Sequence, residues 1–355
     1  MKKTTSNSIK RNLTTALSLV MTATMLASCG SGYGGSDSRK SSIYNNTATD
    51  NYRYNNDATA ETAKGSTNIA GDYNTEEYNH LTENGYKLVS DEPLSTFSTD
   101  VDTASYTNVR RMINDGWEVD PDAVRTEEFI NYFKYNYEKP TEGAVSINTE
   151  LSDCPWNSEA KLMLVGLQAR EAKVKDVPTN LVFLIDVSGS MEDEDKLPLV
   201  QQAFSMLAEN LGADDRVSIV TYAGSDSVVL EGESGDNSEE IVSALNSLSA
   251  GGSTAGAAGI TTAYKLAEEY FIEDGNNRVI LATDGDLNVG LSSEEELTDL
   301  ISQKRDSGVY LSVLGFGSGN YKDNRLEALA DNGNGNYAYI DSVDEAKRAV
   351  SYTHL

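Results

Sequence analysis

Asp186, Ser188 and Ser190 occupy alternate positions of IDVSGSM, directly after the apolar run 181–185. Asp284 follows a second such run, RVILAT, and Thr254 lies in the Gly-rich stretch SAGGSTAGAAG between the two. Carboxylates and hydroxyls offer only oxygen. An all-oxygen set suits a hard divalent cation, octahedral at ~2.0–2.1 Å with water in the open positions. Mg2+ is the expected ion, with Mn2+ or Ca2+ as alternatives. Two Asp charges balance one such ion, so the centre is expected to be near neutral and to accept a carboxylate from outside. Asp186 and Asp284 could instead cap helices, with the serines satisfying backbone N–H groups. That role leaves the five-residue combination unexplained.

Other oxygen-rich segments fit less well. The run Glu192-Asp193-Glu194-Asp195 reads as a solvated loop. DGDLNVG from Asp284 begins with EF-hand-like spacing, but its Gly comes one place late and a strand leads into it. DNGNGN at 331–336 is a turn, and DVDTA at 100–104 lacks the fifth-position Thr/Val and the apolar strand of a phosphatase nucleophile loop. Only two histidines exist, His80 and His354, so a His-rich metal site and a Ser–His hydrolase have little to draw on.

To converge, the five residues need parallel strands ending at one edge. From Asn180 onward the sequence supplies strands alternating with helices. LVFLID is apolar almost throughout, as a parallel strand covered on both faces should be. Leu197, Val200, Phe204, Leu207 and Leu211 mark a helix after it. Strands then alternate with further helices through 216–222, 227–230, RVILATDG, VYLSVLGFG and NYAYID. The expected fold is α/β: a doubly wound, mostly parallel sheet flanked by helices over 179–349, with ligands at the carboxyl ends of the strands.

A small α+β module precedes it at 85–175. Asp102 or Thr103 caps a helix with Tyr106, Val109, Met112 and Ile113 on its apolar face, ended by Gly116. A second helix is expected from Asp120 and Pro121 through Val124, Phe129, Ile130 and Phe133. Strands follow at 144–151 and 161–169.

Residues 1–28 carry Lys2, Lys3, Lys10 and Arg11, then an apolar run from Leu13 to Leu26 that is too short for a ~20-residue span. This is an export signal, and LASC at 26–29 resembles the lipobox of bacterial lipoproteins, which implies lipidation of Cys29. Residues 29–80, rich in Gly, Ser, Asn, Thr and Tyr, read as a disordered tether that cannot bury enough apolar area to fold. The last six residues, 350–355, follow neither helix nor strand pattern and resemble a translated sequencing adapter, so the natural chain is expected to continue past Ala349.

DxSxS in LVFLIDVSGSM, GGST with Thr254 and ATDGD with Asp284 together resemble the metal-ion-dependent adhesion site of von Willebrand factor type A (vWA) domains. The resemblance covers about 180–349. The stretch from LSTFSTDVDTASYTNVRR to CPWN resembles the module preceding this domain in a group of bacterial envelope proteins. It implies a Rossmann-like vWA fold in which Asp186, Ser188, Ser190, Thr254 and Asp284 hold the metal and an Asp or Glu of a protein or peptide partner completes it. The implied role is adhesion or scaffolding without enzymatic activity, by a protein lipid-anchored in the bacterial envelope, at the periplasmic face, the outer membrane or the cell surface. The alternatives are a metal-dependent hydrolase or an accessory subunit of an envelope transport complex. A formal charge of −28 argues against nucleic-acid binding and against a basic membrane-binding patch, which leaves the lipid as the membrane contact.

Overall fold

The computed structural model describes residues 75–80, 85–96, 99, 101–170, 177–252, 256–285 and 294–353. Helices α1 (Ala104–Asp115) and α2 (Thr126–Asn131) and the hairpin β1 (Val145–Asp153) and β2 (Lys161–Ala169) come first. The α/β part then runs β3 (Thr179–Asp186), α3 (Leu197–Ala208), β4 (Arg216–Tyr222), β5 (Asp226–Ser234), α4 (Ser238–Asn246) and α5 (Gly256–Glu269). It continues with β6 (Asn276–Thr283), α6 (Glu294–Asp306), β7 (Val309–Phe316), α7 (Asp323–Asn332), β8 (Tyr337–Ile340) and α8 (Val343–Thr353). No helix among the described residues is long and apolar enough to cross a membrane.

The larger sheet has the order β5-β4-β3-β6-β7-β8. Only the edge strand β5 is antiparallel to its neighbour. Every residue of β3 is buried, because side chains of alternating direction meet helices on both faces. Val182 and Leu184 pack with Ile260 and Tyr264 of α5 and Leu326 of α7. Leu181, Phe183 and Ile185 pack with Val200 and Phe204 of α3, Ile241 of α4 and Ala346 of α8. The chain winds outward from β3 in both directions, so the β3/β6 junction is the switch point where doubly wound sheets place ligands.

Several elements depart from the sequence pattern. The expected helix from Asp120 is two pieces, a 3-10 turn at Pro121–Ala123 and α2, with Val124 and Arg125 extended between them. Ser105 accounts for the break: its hydroxyl donates to Ala123 O at 2.6 Å and accepts from Arg125 N at 2.8 Å, satisfying groups a continuous helix would have paired. Ile113, expected on the apolar face of α1, is 63% exposed. Of the two expected caps, Thr103 occupies the N-cap position of α1 without a side-chain cap bond, and Asp102 accepts the N–H of Tyr337. Helix α8 continues through Val350, which is buried, contrary to the expectation that 350–355 follow neither helix nor strand pattern. Residues 75–77 fall within the tether region, yet they align along the loop after β7, with Thr75 N on Gly319 O at 2.8 Å and Glu77 N on Tyr321 O at 2.9 Å.

The β1–β2 hairpin forms a separate two-stranded sheet. Its register puts Val145, Ile147, Leu151, Met163, Val165 and Leu167 on one face, all of them exposed. The other face receives the Tyr137 ring at Gly166, where a Cβ would come within 2.5 Å of it.

Candidate metal centre

Asp186 is the last residue of β3, and Asp284 comes directly after β6, which pairs with it. Both are fully buried at the carboxyl edge of the switch point. Asp186 Oδ1 accepts the N–H of Ser188 at 2.9 Å and Oδ2 accepts the hydroxyl of Thr283 at 3.2 Å, fixing the carboxylate from two sides. Ser188 is buried and Ser190 exposed, with their Oγ atoms 3.0 Å apart. That spacing equals the edge of an octahedron with metal–oxygen bonds of ~2.1 Å. The 251–252 segment is tied to the same loop, Gly251 N to Val187 O at 2.8 Å and Gly189 N to Gly252 O at 3.1 Å. Thr254 and Cys29 lie outside the described residues.

Burial, with the nearby Asp284 charge adding to it, pushes the Asp186 carboxyl up to about 6. Among the described residues Asp186 makes no ion pair. A buried carboxylate held in place without a counter-ion, beside two hydroxyls at octahedral spacing, fits a divalent cation. A protonated Asp186 cannot ligate, so metal and proton compete for it. Mg2+ affinity is therefore expected to be flat above pH 7 and to fall about tenfold per pH unit below 6, as calorimetry between pH 7.5 and 5 would read. Affinity unchanged over that range would remove Asp186 from the ligand set.

Sequence reasoning missed Lys196. Its side chain is buried, with Nζ 3.2 Å from Asp284 Oδ2, 2.9 Å from Ser190 O and 3.8 Å from Asp193 Oδ2. Asp284 thus has a resident positive charge beside it while Asp186 has none among the described residues, and a divalent ion would bring the centre of two aspartates and Lys196 to +1 instead of near neutrality. The acids of 192–195 are exposed, as expected of a solvated loop. His80 bonds Asp122 Oδ1 at 3.0 Å in the N-terminal module and plays no part here.

Residues 72–164 match the family described as von Willebrand factor, and residues 180–351 match the von Willebrand factor type A domain. The uncharacterized protein YfbK of Escherichia coli (strain K12) is 41% identical over 301 residues, covering 82% of this chain and 52% of that protein. The chain thus spans about half the length of this relative. Human inter-alpha-trypsin inhibitor heavy chain H3 is 32% identical over 176 residues, covering 47% of this chain and 20% of that one. Among solved structures, BatB from Bacteroides thetaiotaomicron aligns with a TM-score of 0.41 at 21% identity, over 49% of this chain and 96% of that one. Mussel byssus proximal thread matrix protein 1 with a zinc-occupied MIDAS motif aligns with a TM-score of 0.41 at 22% identity, over 50% and 45%. From the family match and the sheet order together, residues 180–351 of this chain form a von Willebrand factor type A domain.

Proposed function

We propose that this chain is an envelope protein, lipid-anchored through Cys29, that binds a protein or peptide carboxylate through a divalent cation held by Asp186, Ser188, Ser190, Thr254 and Asp284. The single observation carrying the reading is the pair of fully buried aspartates at the switch point, one of them without a counter-charge, beside two hydroxyls 3.0 Å apart. When bound, the cation supplies a Lewis-acidic position for an incoming carboxylate. The chain's own groups do the rest: Ser188 N–H and Thr283 OH orient Asp186, and the sheet edge keeps both carboxylates from water.

Hydrolysis is not part of this reading. The Ser188 hydroxyl faces the Ser190 hydroxyl with no imidazole beside it among the described residues, and in this reading both aspartates are committed to the cation. Mg2+ is preferred for the all-oxygen set. Titrating Mg2+ and Mn2+ into the full chain tests the proposal: the wild type should take up one ion that Asp186→Ala does not. Equal uptake by both would end it.

A further inference from the structure

Lys196 is among the least expected charges in the molecule. It sits between the exposed 192–195 loop and the first turn of α3, yet it is 6% exposed and reaches under the edge of the sheet. Its place is built into the backbone at Gly317, where φ is +71 and an added Cβ would come within 2.3–2.8 Å of three Lys196 side-chain carbons. Glycine is required there both for the conformation and to leave room for the lysine stem. The Ser190 carbonyl and the Asp284 carboxylate then hold the ammonium from two directions, and both belong to the proposed site.

We propose that Lys196 is the fixed counter-charge of this centre, and that it sets the site to hold metal loosely and carboxylate tightly. The inference rests on the metal reading above. Asp186 and Asp284 contribute −2, a divalent ion +2 and Lys196 +1, while Asp193, 3.8 Å from the ammonium but 74% exposed, is screened by solvent and is left out of the buried count. A single carboxylate brings that loaded centre from +1 to neutrality. The ammonium opposes the entry of a second cation and attracts the anion that follows, and burial keeps both effects from being screened. The occupant this charge balance selects is a monoanionic carboxylate, such as one Asp or Glu side chain. Neutralising Lys196 therefore moves the two affinities in opposite directions, a signature that simple loss of folding cannot produce.

The test uses the full chain, wild type, Lys196→Met and Lys196→Gln, the last keeping a donor for the Ser190 carbonyl. Free Mn2+ is followed by electron paramagnetic resonance, and binding of 13C-acetate to the Mn2+-saturated protein by its paramagnetic relaxation. Both variants should bind Mn2+ about tenfold more tightly and acetate about tenfold more weakly than wild type. Mn2+ binding that is unchanged or weaker in both variants, with a normal wild type, overturns the role of Lys196 and leaves the metal site standing. A wild type that takes up no Mn2+ removes the metal site and this inference with it.

Discussion

Asp284→Ala loses metal binding and, in EDTA, also unfolds about 6–20 °C below the wild type, whereas Asp284→Ala with Lys196→Met regains most of that stability. The reason is the buried ammonium. With Asp284 in place, Lys196 Nζ has a carboxylate 3.2 Å away and a carbonyl 2.9 Å away. Without it, the nearest acid among the described residues is Asp193 at 3.8 Å, whose side chain is 74% exposed. Removing one partner of a buried pair leaves an uncompensated charge and costs about 3–5 kcal/mol, while replacing both with apolar groups is often close to neutral. For a chain of this size 1 kcal/mol moves the midpoint by about 2–4 °C. Asp186→Ala should behave differently. It loses the metal equally, but Asp186 has no cation to strand, and its removal relieves repulsion against Asp284. Its metal-free cost should stay near that of the bonds from Ser188 N and Thr283 Oγ1, about 1–3 kcal/mol. Thermal unfolding of the three variants in EDTA separates these cases. Equal midpoints for Asp284→Ala and wild type would mean that Lys196 is not anchored there.

The contrast between the aspartates also marks where sequence reasoning stops. The placement of Asp186, Ser188, Ser190 and Asp284 at one sheet edge was legible because each sits in or beside the carboxyl end of an apolar run, and strand ends in such sheets share one edge. Both cores of the α/β part followed from the same apolar periodicity. Lys196 was not legible: its neighbours 192–195 are all acidic, so it reads as part of a solvated charge run, and only Gly317, over a hundred residues away, makes room for it. The break between Ala123 and α2 depends on one hydroxyl, Ser105, arriving from α1, which no local propensity contains. Val350 looked out of pattern because the residues after it are polar, but it lies one turn beyond the buried Ala346. Residues 75–77 are composed like a tether, yet the almost fully buried Glu76 carboxylate pairs with Arg111 at 2.9 Å and accepts the N–H of Gly319 at 2.9 Å, beside the backbone bonds of Thr75 and Glu77, and composition shows none of these partners.

Arginines of the N-terminal module were similarly hidden, and the second large effect follows from one of them. Arg125→Met is expected to destabilise the chain by about 3–5 kcal/mol at pH 7.5. Its guanidinium, almost fully buried, pairs with Glu128 Oε1 at 3.1 Å, with Asp323 Oδ2 at 3.4 Å and with Glu327. Glu128 belongs to α2 and the other two to α7, so this cation, like Arg110 with Asp341 and Glu345, joins module and vWA domain. Asn108 Nδ2 and the Tyr337 hydroxyl complete the cluster by donating to Asp323 Oδ1, at 3.3 and 2.5 Å. Burial, opposed by the Tyr337 bond and by Arg125, pushes the Asp323 carboxyl up to about 6. A carboxyl raised in the folded state binds its proton more tightly there than when unfolded. Its contribution is thus complete below about pH 4 and is lost as pH rises through 6. Taking away Arg125 raises Asp323 further, so the penalty in Arg125→Met should be largest above pH 6 and shrink towards pH 5, where Asp323 is protonated. Arg125→Lys should restore part of it, since an ammonium lacks the planar fork that reaches several carboxylates at once. Unfolding midpoints at pH 5 and 7.5 read both effects, and a penalty under 1 kcal/mol at pH 7.5 would show the three acids to be solvated without Arg125. If the penalty is as large as expected, the module cannot be trimmed from the vWA domain without leaving Asp323 and Glu327 bare. The binding edge would then depend on a segment that contributes none of its proposed ligands.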